Sequence, residues 1–218
     1  MIDSGIDAAA AGAMQPREAR RFVDRDGEVI ELEPTGDPTG HGTQIAAILS
    51  SADRAIELVA AQVTSSKGCC TPAAVAAGIR WALSRNADLI HLSLGLRHDR
   101  PVLGRAIAAA VAAGILVVAS TPARGAACYP AAYPGVIRAT GDARCRRDEI
   151  ALLASQYADF GACAVHVSTH GRSLRGASIG AAHLSRFIAS NLTPASGLAV
   201  RARLCGLAVH HGPERRLA

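Results

Sequence analysis

PAAVAAGIRWALSRNADLIHLSLG, running from Pro72 to Gly95, decides the fold. Its first part, Pro72 to Arg85, places small apolar residues at helical spacing behind a proline suited to a first turn. Its second part, Asp88 to Leu94, is a short apolar run that closes on Gly95 and suits a buried strand. The same sentence is then repeated: Pro101 to Ala113 reads as a helix closed by Gly114, and Ile115 to Ala119 as another buried strand. Helix and strand in alternation require parallel neighbours with helices packed outside them. The expected class is therefore α/β, with a mostly parallel central sheet and helices on both faces, making three layers.

Working outward, Gly42 to Leu49 has the apolar spacing of a helix whose start carries His41, and Ile56 to Val63 reads as a strand. The polar segment Gln15 to Asp37 is expected to cross the surface as a hairpin or loop. Ser178 is expected to begin a long helix that reaches about Asn191, which sets its side chain at a positive helix end. No repeat or low-complexity linker interrupts the 218 residues, so one domain, 1–218, is expected. A domain of this size buries about 70% of its unfolded surface.

Half the residues are apolar while aromatics make up only 3%, a composition that lets helices lie close on a sheet. The net charge of +5 comes from scattered arginines with no aromatic platform beside them, so no nucleic-acid partner is expected. No apolar run reaches the ~18 residues of a membrane span, and the start MIDSGID lacks the basic and apolar regions of a secretion signal. A cytoplasmic protein with no membrane partner is expected. The six cysteines show no metal-ligand spacing and no Ca²⁺-type acidic loop is present, so neither cofactor nor metal is expected. Adjacent Cys69 and Cys70 are expected to be reduced thiols, with a strained redox pair or a soft-metal site as the alternative.

Three short motifs carry the chemistry: DSG at Asp3 to Gly5, GHGT at Gly40 to Thr43, and GASIGAAH at Gly176 to His183. A serine hydroxyl is a weak nucleophile, so Ser178 needs a base, His41, to take its proton and return it to the leaving group. Asp3 would hold the imidazole tautomer and stabilise the imidazolium. GASIG also satisfies the G-x-S-x-G elbow, a fold in which acid and histidine follow the serine. Only 40 residues follow Ser178, they contain no Asp, and their single acid is Glu214, which argues against that arrangement.

Four further blocks stand in order between or beside these motifs: WALSRNADLIHLSLG (Trp81 to Gly95), GILVVAS (Gly114 to Ser120), YPAAYPGVIRATG (Tyr129 to Gly141) and ASQYADFG (Ala154 to Gly161). With the triad motifs they resemble the subtilisin-like serine peptidases over nearly the whole chain. The resemblance implies the three-layer subtilisin-like fold and an Asp3, His41, Ser178 triad. It also implies that Ser93, Leu94 and Gly95 pair with the backbone of an extended peptide or protein substrate. His183 corresponds to a structural histidine of the family, with Ala182 where a proline is usual. His166, His170, His210 and His211 match no catalytic motif. A full buried strand normally precedes the catalytic acid, whereas only Met1 and Ile2 stand here, so either the true start lies upstream or the strand is shortened.

The departure from the family lies after GILVVAS. Where an Asn amide should donate to the developing oxyanion, the continuation Ser120, Thr121, Pro122, Ala123 puts Ala123, and no Asn occurs between Asn86 and Asn191. The backbone N–H of Ser178 remains as a donor, and Thr121 or Arg124 are candidates for the second. Ser120, Arg124 and Cys128 are the expected specificity-pocket residues. The expected activity is that of a serine endopeptidase, and the small size resembles that of leader-removing members, implying a specific precursor and a complex with precursor-modifying enzymes. The alternative is a pseudopeptidase that holds an extended peptide without cleaving it.

Overall fold

The computed structural model describes residues 1–7, 9, 15–167, 173–192 and 197–214. Strands β1 (Ile2–Asp3), β2 (Glu18–Arg25), β3 (Glu28–Leu32), β4 (Val59–Gln62), β5 (Leu89–Leu92), β6 (Leu116–Ser120), β7 (Ile137–Asp142), β8 (Ile150–Leu152), β9 (Phe160–Cys163) and β12 (His210–His211) form one sheet. Its order is β12-β8-β9-β7-β6-β5-β1-β4-β2-β3. Neighbours run parallel except β2 with β3 and β8 with β9, so the α/β reading with a mostly parallel sheet holds. A separate ribbon pairs β10 (Val165–Val167) with β11 (Ser173–Arg175).

Five helices among the described residues cover the two faces: α1 (His41–Ser50), α2 (Pro72–Ser84), α3 (Pro101–Ala112), α4 (Ala177–Asn191) and α5 (Gly197–Leu207). Strand periodicity decides which face each residue meets. In β6, Val117 and Ala119 join the cluster under α2 and α3, while Leu116 and Val118 join the one under α4 and α5. β5 follows the same rule. Ile90 and Leu92 face α2 and α3, which leaves His91 on the α4 side. Each fully buried Ile or Leu in these clusters contributes about 1.5–3 kcal/mol.

The helix readings differ from the observed bounds by one residue at one end, or at both for α1. Two strands differ more: Ile56 to Val63 contracts to Val59–Gln62, and Asp88 to Leu94 to Leu89–Leu92. Hydropathy does not mark where sheet pairing stops, and residues 93–95 continue beyond the ladder. The segment Gln15 to Asp37 does form a hairpin, turning at Asp26 and Gly27, and it extends the sheet because β2 pairs with β4. Helix α2 begins as its sequence suggests, with Thr71 Oγ1 accepting from the Ala74 N–H at 3.2 Å and Pro72 in the first turn.

Two glycines bring the elements of the site together. A Cβ at Gly42 would collide with the Gly5 carbonyl oxygen, and one at Gly180 with the Thr140 carbonyl oxygen. A side chain at either position would push α1 off the DSG turn or α4 off β7.

Candidate active site

The three motif residues gather at the carboxyl ends of the parallel strands, where α/β sheets bind ligands. Asp3 ends β1, His41 opens α1 and Ser178 lies in the first turn of α4. Asp3 is buried, and its Oδ1 lies 2.7 Å from His41 Nδ1 and accepts the Ser4 N–H at 2.7 Å. Asp3 Oδ2 is buried without a hydrogen-bond partner. The His41 pKa is raised above its ordinary value, first by the hydrogen bond to Asp3, against burial, with the charges of Asp3 and Asp37 adding to the rise.

Asp37, which the sequence reading left at the end of a surface segment, anchors the base. Its Oδ1 accepts from Ser4 Oγ at 2.8 Å and from the Gly40 N–H at 2.9 Å. Its Oδ2 accepts from both the N–H and the Oγ1 of Thr43 at 2.7 Å. Burial opposes ionisation of Asp37, but the hydrogen bonds from Thr43, Ser4 and Thr39 outweigh it and hold the carboxyl below its ordinary range. Helix α1 has Gly40 as its N-cap with no side chain of its own, so this carboxylate, placed four residues before His41, supplies the cap. Gln62 completes the mount, its Nε2 donating to the Ser4 and Gly36 carbonyls at 3.0 Å each. An Asp just ahead of an apolar helix was the available signal for Asp37; nothing local marks Gln62.

Ser178 Oγ donates to the Ser93 carbonyl at 3.4 Å, and among the described residues it makes no hydrogen bond to His41. The N-cap of α4 is Gly176, which offers no side chain, and among the described residues no side-chain cap bond reaches the first turn, whose N–H groups carry the positive end of the helix. Beyond β5, Ser93 is buried, Leu94 half-buried and Gly95 exposed. Immediately after it, Leu96 pairs antiparallel with Tyr129.

Of the residues proposed for the oxyanion and specificity sites, Ser120 and Thr121 are buried at the end of β6, while Ala123 and Arg124 lie in an exposed stretch. The Thr121 N–H is taken by the Ala139 carbonyl at 2.8 Å, which leaves its hydroxyl as the group it can offer. Cys128 is half-buried, and a Cβ at Gly95 would collide with its Sγ, so the thiol closes the space beside the Ser93–Gly95 segment. Burial raises the Cys128 pKa. Thr121, Ala126, Cys128 and Tyr157 border a cavity of about 210 Å³. A larger one, about 500 Å³, opens at the opposite, amino ends of the strands beside Met1, Val59, Leu89 and Leu116.

All six cysteines are unpaired. Cys69 is exposed and Cys70 half-buried on a short turn, and the Cys70 thiol is raised by burial and then by the charges of Cys69 and Asp3. His183 is buried with its ring 6.4 Å from that of His166, and burial first, then Arg186, pushes its pKa down to about 4. His170 lies outside the described residues. Among the described residues no group of three or more His, Cys, Asp or Glu is placed to hold a metal ion, and no helix is long and apolar enough to cross a membrane.

The family model described as the subtilase family matches residues 1–199. Subtilisin DY from Bacillus licheniformis is 30% identical over 237 aligned residues, covering 97% of this chain and 83% of that protein. Subtilisin E from Bacillus subtilis (strain 168) is 31% identical over 152 residues, covering 63% of this chain and 38% of its own length. The thermostable alkaline protease of Halalkalibacterium halodurans is 35% identical over 120 residues, half of this chain and 33% of that protein. The matched stretches thus span well under two thirds of several of these relatives.

Proposed function

The chain belongs to the subtilase family, and on that premise we propose that it is a serine endopeptidase, one peptidase domain over residues 1–218. The observation that carries this reading is the 2.7 Å contact of His41 Nδ1 with buried Asp3, set beside a serine in the first turn of an uncapped helix. Held by Asp3, His41 keeps its Nε2 free to take the Ser178 proton. The 3.4 Å bond from Ser178 Oγ to Ser93 is long and readily exchanged for one to His41 when substrate fills the site.

Ser178 Oγ then attacks the scissile carbonyl, and the oxyanion is received by the Ser178 N–H together with the Thr121 hydroxyl, in place of the amide that Ala123 lacks. His41 returns its proton to the leaving amine, and water releases the acyl group by the same steps in reverse. The substrate is an extended peptide lying along Ser93, Leu94 and Gly95, with its side chain before the cleaved bond directed to Cys128, Ser120 and the rim at Arg124.

The finer reading is leader removal from a specific precursor, in a complex with the enzymes that modify it. Its support is a resemblance to the leader-removing peptidase of quinohemoprotein amine dehydrogenase biogenesis. The six unpaired thiols support a reducing compartment such as the cytoplasm.

A second reading, a pseudopeptidase that binds without cleaving, is favoured by Ala123 and by the bonding of Ser178 to Ser93 rather than to His41. A serine-directed fluorophosphonate separates the two. Labelling that disappears in Ser178→Ala supports the enzyme, and absence of labelling in folded protein supports the binder.

A further inference from the structure

Behind Ser178 runs a chain of hydrogen bonds that the triad does not use. Ser185 Oγ on α4 lies 2.9 Å from His91 Nδ1, and His91 Nε2 lies 2.6 Å from Ser93 Oγ. Ser93 Oγ donates to the Ser178 carbonyl at 3.2 Å, while Ser178 Oγ donates back to the Ser93 carbonyl at 3.4 Å. Proton counting sets the direction. The single Ser93 hydroxyl proton goes to Ser178, so Ser93 Oγ accepts from His91, and Nε2 must carry a hydrogen. A neutral imidazole then has Nδ1 free to accept from Ser185.

The ring is kept neutral. His91 is fully buried, and burial first, then the charge of the Met1 amino group just before β1, itself depressed to about 5 by burial, and that of His41 on α1, pushes its pKa down to about 3. Ser185, facing it from α4, is uncharged. His91 therefore presents a fixed donor across the pH range in which a histidine base works.

We propose that His91 is a positioning residue: as the Nε2–H tautomer it orients the Ser93 hydroxyl, which holds the Ser178 backbone in register with the substrate-binding segment. Strand alternation supplies the geometry, because His91 and Ser93 stand two apart on the face that α4 covers. The consequence rests on the serine-peptidase reading, since a fixed Ser178 matters for attack. Substrate binding along residues 93–95 and nucleophile placement at Ser178 become one rigid unit.

The test has two independent parts. Imidazole ¹⁵N NMR of the whole protein should show His91 as the Nε2–H tautomer with unchanged shifts from pH 5 to 8; a titrating ring, or the Nδ1–H form, overturns the proposal. This readout does not depend on catalysis. In the second part, His91→Leu should lower kcat and the rate of fluorophosphonate labelling about tenfold or more with KM within about twofold, and His91→Gln should restore most of the rate. Adding Ser93→Ala to His91→Leu should cause no further loss. Equal rates in wild type and His91→Leu, or additive losses in the pair, overturn the positioning role. If His91→Leu does not fold, Ser93→Ala with wild-type NMR carries the test. No labelling of wild type beside the expected tautomer would sink the peptidase reading instead.

Discussion

The two sides of the candidate site are built differently. On the acid–base side, Asp3, Ser4, Asp37, Thr39, Thr43 and Gln62 share a dense set of hydrogen bonds, several at 2.7–2.9 Å, that ties β1, α1 and β4 together. On the oxyanion side, residues 122–127 are exposed, and the expected amide donor is an alanine. A proton transfer tolerates little displacement of its groups, so that side is fixed from several elements. On the proposed reading, recognition and oxyanion stabilisation fall to the Ser178 N–H and to a wall carrying one buried hydroxyl, Thr121, and one thiol, Cys128. The contrast predicts that changes on the first side destroy activity and that changes on the second retune it.

The largest effect is expected from the proton-transfer unit. Ser178→Ala and His41→Ala should each remove peptide cleavage, by a factor of about 10⁴ or more, and the double variant should lose little beyond either one; non-additivity of this kind is known for subtilisin itself. Cleavage rates, with circular dichroism to confirm folding, check this. Full activity in Ser178→Ala would remove the serine-peptidase assignment.

Next in size is the missing donor. In subtilisin itself, loss of one such amide costs about 10² to 10³ in kcat, so Ala123→Asn should raise kcat by up to that factor if nothing replaces it. If the Thr121 hydroxyl already acts, Ala123→Asn should change little and Thr121→Val should lower kcat. Both variants leaving the rate unchanged would discard this description of the oxyanion wall.

Smaller shifts are expected from pH. His41 must be neutral to act as base, and its pKa is raised, so kcat/KM should climb through an acid limb lying above the ordinary 6.5. Asp37→Asn removes one of the charges that raise it and should move the limb downward. The stability terms have the opposite sense. The His41 contribution is complete below 6.5 and is lost as pH rises through the native value, whereas that of Asp37 is complete above 3.8 and is lost as pH falls through its depressed value. Asp37→Ala, which removes the cap of α1, should cost about 1–2 kcal/mol in chemical denaturation. A pH–rate profile unmoved by Asp37→Asn would mean that its charge does not reach the imidazole.

Legibility followed the same division. The segment from Pro72 to Ser120 announced helices, strands and their parallel arrangement, because a 3.6-residue repeat marks a helix buried on one face and a short unbroken apolar run marks a strand buried on both. The motif order pairs Asp3 with His41, and the structure places them in contact. What local patterns do not carry is pairing across distance. Gln62 reaches Ser4 over 58 positions, and His91 reaches Ser185 over 94, so neither stood out within its own strand. In DLIHLSL the clue to His91 was its polarity inside an apolar run, a signal shared by any satisfied core histidine. The ends of β4 and β5 were overextended because hydropathy continues past the last ladder bond.

The smallest effect concerns substrate choice on the exposed wall. Cys128 Sγ fills the space beside Gly95, so the pocket before the cleaved bond should accept small side chains, and Cys128→Gly should deepen it toward larger apolar ones. Arg124 is exposed and, among the described residues, makes no ion pair, so a guanidinium at the rim should attract a carboxylate and repel a cation. Solvent screening limits this to about twofold to fivefold in kcat/KM, the scale of an exposed pair. Profiling a peptide library should therefore find small or acidic residues at the cleaved position, with Arg124→Ala erasing the acidic preference but not the size limit. Cleavage after Lys or Arg in the wild type would refute the rim assignment, and an unchanged size limit in Cys128→Gly would refute the thiol as the pocket floor. The two variants act on one wall through charge and through volume, so their effects on an acidic and on a large substrate should separate cleanly.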